Sequence, residues 1–336
     1  MICCNFRSIR DAIGAYAANI YDQFSVSPDV EEITCENADT AGMSRLGWIF
    51  STGMTKAMLR AAKQIGPRGI THVMIEYPFQ EYNPAIIPAF GRIASECRKN
   101  GAKVCLSVHE YLRAKKMRRK VVECFAKKSD LVFVSDKETK EALQPFADRI
   151  VIRSITAGVF PHGDVDIYGK SEDFLYFGLV NRSKAFAEML EAWKLFNADG
   201  KHRLRILTSS DVSGYEPFGD GITVYKDLSN EQAAGHFMEC SYAIVPVLPS
   251  VFAGNTSFKS AAAFGCICIG KFGDDFPAPG FAVPAAGYEA EVFAEALRKA
   301  DGLPEEDKMR RMKEAVEFGA LYRPERTAEA ILKELT

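Results

Sequence analysis

The sequence predicts an α/β protein of two doubly wound domains, each a parallel sheet with helices on both faces. Three observations carry this. Short β-branched runs alternate with helical segments along nearly the whole chain, the pattern of repeated βαβ units. The alternation fails once, from Arg153 to Asp173, where Gly, Pro and Asp accumulate. At 336 residues the chain also exceeds the usual size of one hydrophobic core. The expected division is a first domain over 1–155, a linker over 156–172, a second domain over 173–323 and a C-terminal helix over 324–336, with a ligand cleft between the two sheets.

In chain order, Ile2–Phe6 reads as a strand and Ile9–Phe24 as a helix with Ile9, Ile13, Ala17 and Ile20 on one face. Glu31–Cys35 reads as a second strand. Trp48–Ile65 is helical and ends at Gly66-Pro67. Ile70–Glu76 is a strand stopped by Tyr77-Pro78, and His72 within it reads as core. Ala85–Asn100 is a helix closed by Gly101. Lys103–Val108 is a strand that delivers His109, Glu110 and Tyr111 at its carboxyl end. A basic helix over Leu112–Lys128, a strand at Asp130–Val134, a short helix at Lys137–Leu143 and a strand at Ile150–Ile152 complete the first half. After the linker come strand Phe174–Phe177, helix Ala185–Asn197, strands Arg205–Leu207 and Ile222–Val224, and helix Asn230–Glu239. Glu289–Ala300, Glu305–Phe318 and Pro324–Leu335 are three closing helices.

Hydrophobic residues make up 47% and charged residues 26% of the chain, ordinary for a water-soluble globular protein. No apolar run approaches the roughly 20 residues needed to cross a bilayer, and Met1–Phe6 does not suit a signal peptide. The nine cysteines are odd in number and sit largely inside apolar runs, without CxxC or zinc spacing. They read as reduced core thiols, and the localisation they suggest is cytoplasmic. Residues 1–160 hold 23 Lys/Arg against 17 Asp/Glu, net +6, while 161–336 hold 19 against 27, net −8. The basic half is the one expected to meet something anionic.

Two segments carry polar chemistry at strand ends. Tyr242–Gly270 is one βαβ unit: apolar Tyr242–Val247, a Pro/Gly/Ser/Asn loop, the small-residue helix Ser257–Phe264, and apolar Cys266–Ile269. Asn255, Thr256 and Ser257 are good N-cap residues, and the free N–H groups behind them would face an anion. An ordinary capped helix accounts for these residues equally well. Ala261–Ala263 give that helix a thin face on which a neighbouring backbone can settle. In Phe174–Lys184 a strand delivers Gly178, then Asn181, Arg182, Ser183 and Lys184 lead into a helix. Glycine lets a phosphate approach the backbone and a cation supplies counter-charge, though a glycine turn with solvated cations fits as well. Taken together, a diphosphate bridging both loops is the more economical account.

These segments resemble the donor domain of GT-B glycosyltransferases, particularly glycosyltransferase family 4. The match lies in strand-Gly178-x5-Lys184-helix, in the helix-strand-proline run Asn230–Val247, and in the helix and strand of Ser257–Ile269. It covers about residues 173–270; the first half matches only in βα order and in a histidine after a strand, Val108–Tyr111. The resemblance implies two Rossmann-like domains facing across a cleft, a nucleotide-sugar donor held in the second, and transfer of a hexosyl group without a cofactor. Leu179 stands where the family has Arg directly after the glycine, and Phe252 and Ser260 stand where it has a pair of glutamates. The phosphate half of the motif is present and the sugar-recognition half is absent.

His109 and Glu110 are the catalytic candidates, because histidine titrates near neutral pH and the strand end places it at the cleft; a lone histidine is often structural. Donor-binding candidates are Gly178, Arg182, Lys184, Asn255, Thr256 and Ser257. Arg113–Lys128 holds eight Lys/Arg against Glu123 alone, with Met117, Val121, Cys124 and Phe125 at helical spacing. Arg113, Lys115, Lys116, Arg118, Arg119 and Lys120 form a patch suited to anionic lipid or an anionic acceptor. Nucleic acid is not expected, given the slightly negative net charge and no recognition motif. Asp164-Val165-Asp166 spells a DxD, but it lies in the linker and reads as a turn; no metal site is expected. The expected function is transfer of a sugar from a nucleotide-sugar to a glycan or lipid-linked acceptor in surface polysaccharide assembly, on the inner face of the membrane. The alternatives are a nucleotide-sugar 2-epimerase of the same fold and a catalytically silent glycosyltransferase-like binding subunit.

Overall fold

The computed structural model describes residues 2–5, 16, 19–23, 31–34, 53–77, 86–109 and 111–335. It contains two parallel six-stranded sheets in two compact units, residues 1–155 with 324–336, and residues 156–323. Expectations about residues 9–15, Trp48, Pro78 and Glu110 lie outside the described residues.

The first sheet uses β1 (Ile2–Asn5), β2 (Glu31–Thr34), β3 (His72–Tyr77), β4 (Lys103–Val108), β5 (Leu131–Val134) and β6 (Ile150–Ile152). Their spatial order is β2-β1-β3-β4-β5-β6. The helices between them are α1 (Gly53–Gln64), α2 (Ile86–Lys99), α3 (Lys116–Ala126) and α4 (Lys137–Leu143). α2 illustrates why these segments fold as they do: Ile86, Ala89, Phe90, Ile93, Ala94 and Cys97 recur at helical spacing and all are buried. Gly101 follows with φ +69°, a left-handed conformation open to glycine at little cost. His72 opens β3 half-buried, its Nδ1 3.0 Å from Thr71 Oγ1, rather than sitting in the core.

The basic segment begins differently from the sequence expectation. Tyr111–Arg113 forms a 3-10 turn, and α3 starts only at Lys116 because Lys115 is extended at ψ 150°. Its buried seam is Val121, Val122, Phe125 and Ala126. Met117, expected in that seam, is 65% exposed. The late start leaves it in the first turn, where no core residue reaches it.

The second sheet uses β7 (Ser171–Phe177), β8 (Leu204–Thr208), β9 (Ile222–Lys226), β10 (Cys240–Ile244), β11 (Ile267–Gly270) and β12 (Val283–Pro284), in spatial order β12-β11-β10-β7-β8-β9. β7 starts earlier than the expected Phe174 because Ser171 pairs with Cys240 across a bulge. The two-residue β12 carries too little periodic signal to be read from sequence. The helices are α5 (Phe186–Phe196), α6 (Asn230–Glu239), α7 (Thr256–Ala263), α8 (Ala290–Asp301) and α9 (Glu305–Ala320). An aromatic group anchors this core: Phe174 stacks on Tyr242 at 4.6 Å and meets Trp193 edge-on at 5.3 Å. The thin face of α7 is used as expected. A Cβ on Gly319 of α9 would stand 2.2 Å from Ala263 Cα, so the two helices meet backbone to backbone.

The last helix, α10 (Pro324–Leu335), packs on the first unit. Ala328, Ile331 and Leu335 join Tyr16, Ile20, Tyr21, Met74, Cys105, Leu131 and Phe133 in one cluster. Burying Ile331 and Leu335 stabilises that docking by ~3–6 kcal/mol.

Candidate functional site

In the second unit the strand order reverses between β7 and β10, the two strands that follow each other in space but not in sequence. Open α/β sheets hold ligands at the carboxyl ends of such a pair, because the flanking connections leave in opposite directions and open a crevice. Gly178 follows β7 and the 245–256 loop follows β10, so both anion-friendly segments arrive at one place. The main chain joins them: Ala185 N–H donates to Pro246 O at 2.9 Å and Leu248 N–H to Ser183 O at 2.9 Å. Tyr288 supports the loop from below, its hydroxyl 3.0 Å from Val247 O.

Gly178 has φ +138° and stands beside the start of α7, where a Cβ would lie 3.1 Å from Ser257 Oγ. A side chain there would fill the space between the loops. Asn255 caps α7: its Oδ1 accepts from Phe258 N–H at 2.7 Å. Thr256 and Ser257 are half-buried over the helix start. Asn181 accepts from Ser183 N–H at 2.9 Å and from Ser183 Oγ at 2.7 Å, which tightens the turn before Lys184. Lys184 is half-buried and its backbone bridges Val247. Arg182 is exposed on the same turn. On the neighbouring side Ser210 Oγ accepts from Val180 N–H at 2.8 Å, and Asp227, after β9, has φ +53°.

Ser260, standing where the family pattern has its second glutamate, is fully buried. Its Oγ accepts from Gly158 N–H and Val159 N–H, each at 3.0 Å, and donates to Thr256 O at 2.8 Å. The hydroxyl is therefore committed to the chain itself. Beside it Lys259 is 1% exposed, with Nζ 4.1 Å above the Tyr322 ring. Burial pushes its ammonium down to about 7. A lysine inside a helix of small apolar residues is the sequence signal for this buried charge.

In the first unit His109 is 5% exposed and joined to a polar cluster not anticipated from sequence. Its Nε2 lies 2.7 Å from Glu76 Oε2 and 3.3 Å from Ser107 Oγ. Arg153 Nη2 donates to Ser107 Oγ at 2.5 Å and lies 3.4 Å from Glu76 Oε2. Burial pushes Glu76 upward, but Arg153 and the hydrogen bond from His109 outweigh it and bring the carboxyl down to about 2. A glutamate and a serine inside otherwise apolar strands were the legible signal, since buried polar groups require partners.

Of the basic patch, Lys115, Lys116 and Lys120 are exposed and Arg118 is half-buried. Arg119 is engaged with its own turn, donating from Nε to Ala114 O at 2.9 Å and from Nη2 to Leu112 O. It stabilises the 3-10 turn and is not part of a free cationic face. Asp166 Oδ1 accepts from Tyr168 N–H at 2.9 Å, as in a turn capped by its own aspartate. Among the described residues no group of His, Cys, Asp or Glu could hold a metal ion, and no helix is long and apolar enough to cross a membrane.

No family model and no curated protein matches the sequence. Solved structures do match the fold. A trehalose-6-phosphate synthase from Burkholderia multivorans superposes with a TM-score of 0.67 at 12% identity, over 100% of this chain and 98% of that one. The E. coli trehalose-6-phosphate protein bound to UDP-2-fluoro glucose gives 0.64 at 13% identity, over 99% and 98%. A UDP-N-acetylglucosamine 2-epimerase gives 0.61 at 12% identity, over 99% and 95%. The chain thus has the GT-B fold, built of two Rossmann-like α/β units.

Proposed function

We propose that the chain transfers a sugar from a nucleotide-sugar donor to a glycan or lipid-linked acceptor, in surface polysaccharide assembly. The observation that carries this reading is the meeting of Gly178 with Ser257 at the reversal of the second sheet: a gap without a side chain, set against the amino end of a helix. The donor diphosphate would accept from the N–H groups of Thr256 and Ser257, with Lys184 and Arg182 supplying counter-charge. As the bond to the sugar breaks, charge gathers on the diphosphate, and those fixed dipoles and cations stabilise it without reorganising. His109, with Glu110 beside it, would orient or deprotonate the acceptor hydroxyl. Lys115, Lys116, Arg118 and Lys120 would hold the first unit on an anionic membrane surface. No cofactor is needed for this chemistry.

The commitment of Ser260 to Gly158 and Val159 favours a second reading, a binding subunit that holds the nucleotide without reading the sugar. An epimerase of the same fold would release nucleotide with no acceptor present. Calorimetry with nucleoside diphosphates and nucleotide-sugars, followed by an acceptor-dependent turnover assay, separates the three. Lys184→Ala is expected to weaken diphosphate binding by about 1.5–3 kcal/mol, the range for a charge-assisted hydrogen bond. Unchanged affinity removes Lys184 from the site, and binding without turnover of any donor favours the silent subunit.

A further inference from the structure

Glu76 and Ser107 pair across the register of β3 and β4, each one residue from its strand's end. Glu76 is 1% exposed, a depth at which a carboxylate requires strong partners. Arg153 supplies one, held in turn over Phe133 at 5.1 Å and over Tyr16 at 5.4 Å. His109 supplies another through Nε2, and its ring meets that of Tyr16 in a T-shaped pair with centroids 5.0 Å apart. An ionised carboxylate only accepts hydrogen bonds, so the hydrogen in the 2.7 Å contact belongs to Nε2. A neutral imidazole with Nε2 protonated carries its lone pair on Nδ1. Among the described residues no hydrogen bond engages Nδ1.

We propose that Glu76 is a positioning residue: bridged to Arg153, it fixes His109 as the Nε2–H tautomer and leaves Nδ1 as the atom that takes the acceptor's proton. The proposal rests on the glycosyl-transfer reading above. In that step the acceptor oxygen bonds to the anomeric carbon while the bond from that carbon to the diphosphate oxygen breaks, its electron pair leaving with the diphosphate. The hydroxyl proton passes to Nδ1. The resulting imidazolium is paired with Glu76, which stays ionised, and the proton is later lost to water.

The test begins with the whole, unmodified chain. Long-range proton–nitrogen spectra of protein carrying nitrogen-15 histidine, with His109 assigned through His109→Gln, read the tautomer directly and require no activity. The expected result is an unprotonated Nδ1 and a protonated Nε2; a protonated Nδ1 overturns the proposal whether or not any variant folds. Glu76→Leu, which offers Nε2 neither a carboxylate nor an amide oxygen, should then abolish the tautomer preference and lower kcat about 10²–10⁴-fold, the range for losing a general base, with donor KM unchanged. Glu76→Asp, which keeps a carboxylate, should recover part of the rate. A tautomer that survives Glu76→Leu, or a variant that turns over at the wild-type kcat, overturns the positioning role and leaves glycosyl transfer standing. A wild-type chain that turns over no donor defeats the transfer reading itself, and the proposal with it.

Discussion

Lys259 offers the sharpest test of the packing around the α7 helix. Its ammonium is 1% exposed and lies over the ring of Tyr322, and burial brings its pKa down to about 7 from the 10.5 usual for a lysine. The unfolded chain therefore binds a proton that the folded chain does not, between about pH 7 and 10. Stability rises with pH wherever the unfolded state holds more protons, by at most ~1.4 kcal/mol per pH unit for one group. Over the interval from pH 7 to 9.5 this amounts to roughly 3 kcal/mol as an upper bound. Lys259→Met keeps the packing volume and removes the titration, at the loss of a cation–π contact of ~0.5–2 kcal/mol. Urea unfolding of both proteins across that range is the assay, read as the difference between them so that every other group cancels. The Met variant should be the more stable near pH 7, and its advantage should shrink as pH rises. Lys259→Arg, which cannot shed its proton, should be destabilised throughout. A difference that does not change with pH would refute the argument.

Three further outcomes follow from the geometry. Gly319→Ala places a methyl 2.2 Å from Ala263 Cα, so it should cost ~3 kcal/mol or more by overpacking, seen as a lowered Tm; an unchanged Tm would show that α9 can move away from α7. Reversing Lys115, Lys116, Arg118 and Lys120 to Glu should abolish sedimentation with anionic liposomes while nucleotide binding persists, and salt should weaken the wild-type interaction within a Debye length of about 8 Å; sedimentation indifferent to both removes the membrane proposal. Donor turnover should survive EDTA, and Asp164→Asn with Asp166→Asn should change it little, because an Asn oxygen can still accept from Tyr168 N–H. Loss on chelation that metal restores and the double variant mimics would overturn the assignment of the diphosphate to fixed cations.

The alternation of elements was legible because strands buried on both faces and helices with one apolar stripe leave different periods in sequence; Lys103–Val108, Lys137–Leu143 and Asn230–Glu239 fall at the boundaries read from it. The strand-end loops were legible for a related reason, since Gly178 and Asn255–Ser257 are residue types that turns and helix starts select. What sequence did not convey was partnership. Glu76, Ser107 and Arg153 are up to 77 positions apart, and only the parallel register brings their side chains together. Arg119 looked like one more surface cation because local spacing cannot say that the turn before it leaves carbonyls in need of a donor. Met117 was misplaced by a single turn, as helix starts without a side-chain cap leave little trace.

The bond between Ser260 and the chain entering the second unit changes how substitutions at that position should be understood. Gly158 and Val159 lie in what composition marks as slack tether, yet their amides should exchange with solvent as slowly as those of a buried helix. Grafting a glutamate at 260 to restore a family signature would not add a ligand to an idle position. It would take the hydroxyl acceptor from Gly158 N–H and Val159 N–H, and the loss would fall on the seam where the chain enters the fold rather than on the sugar.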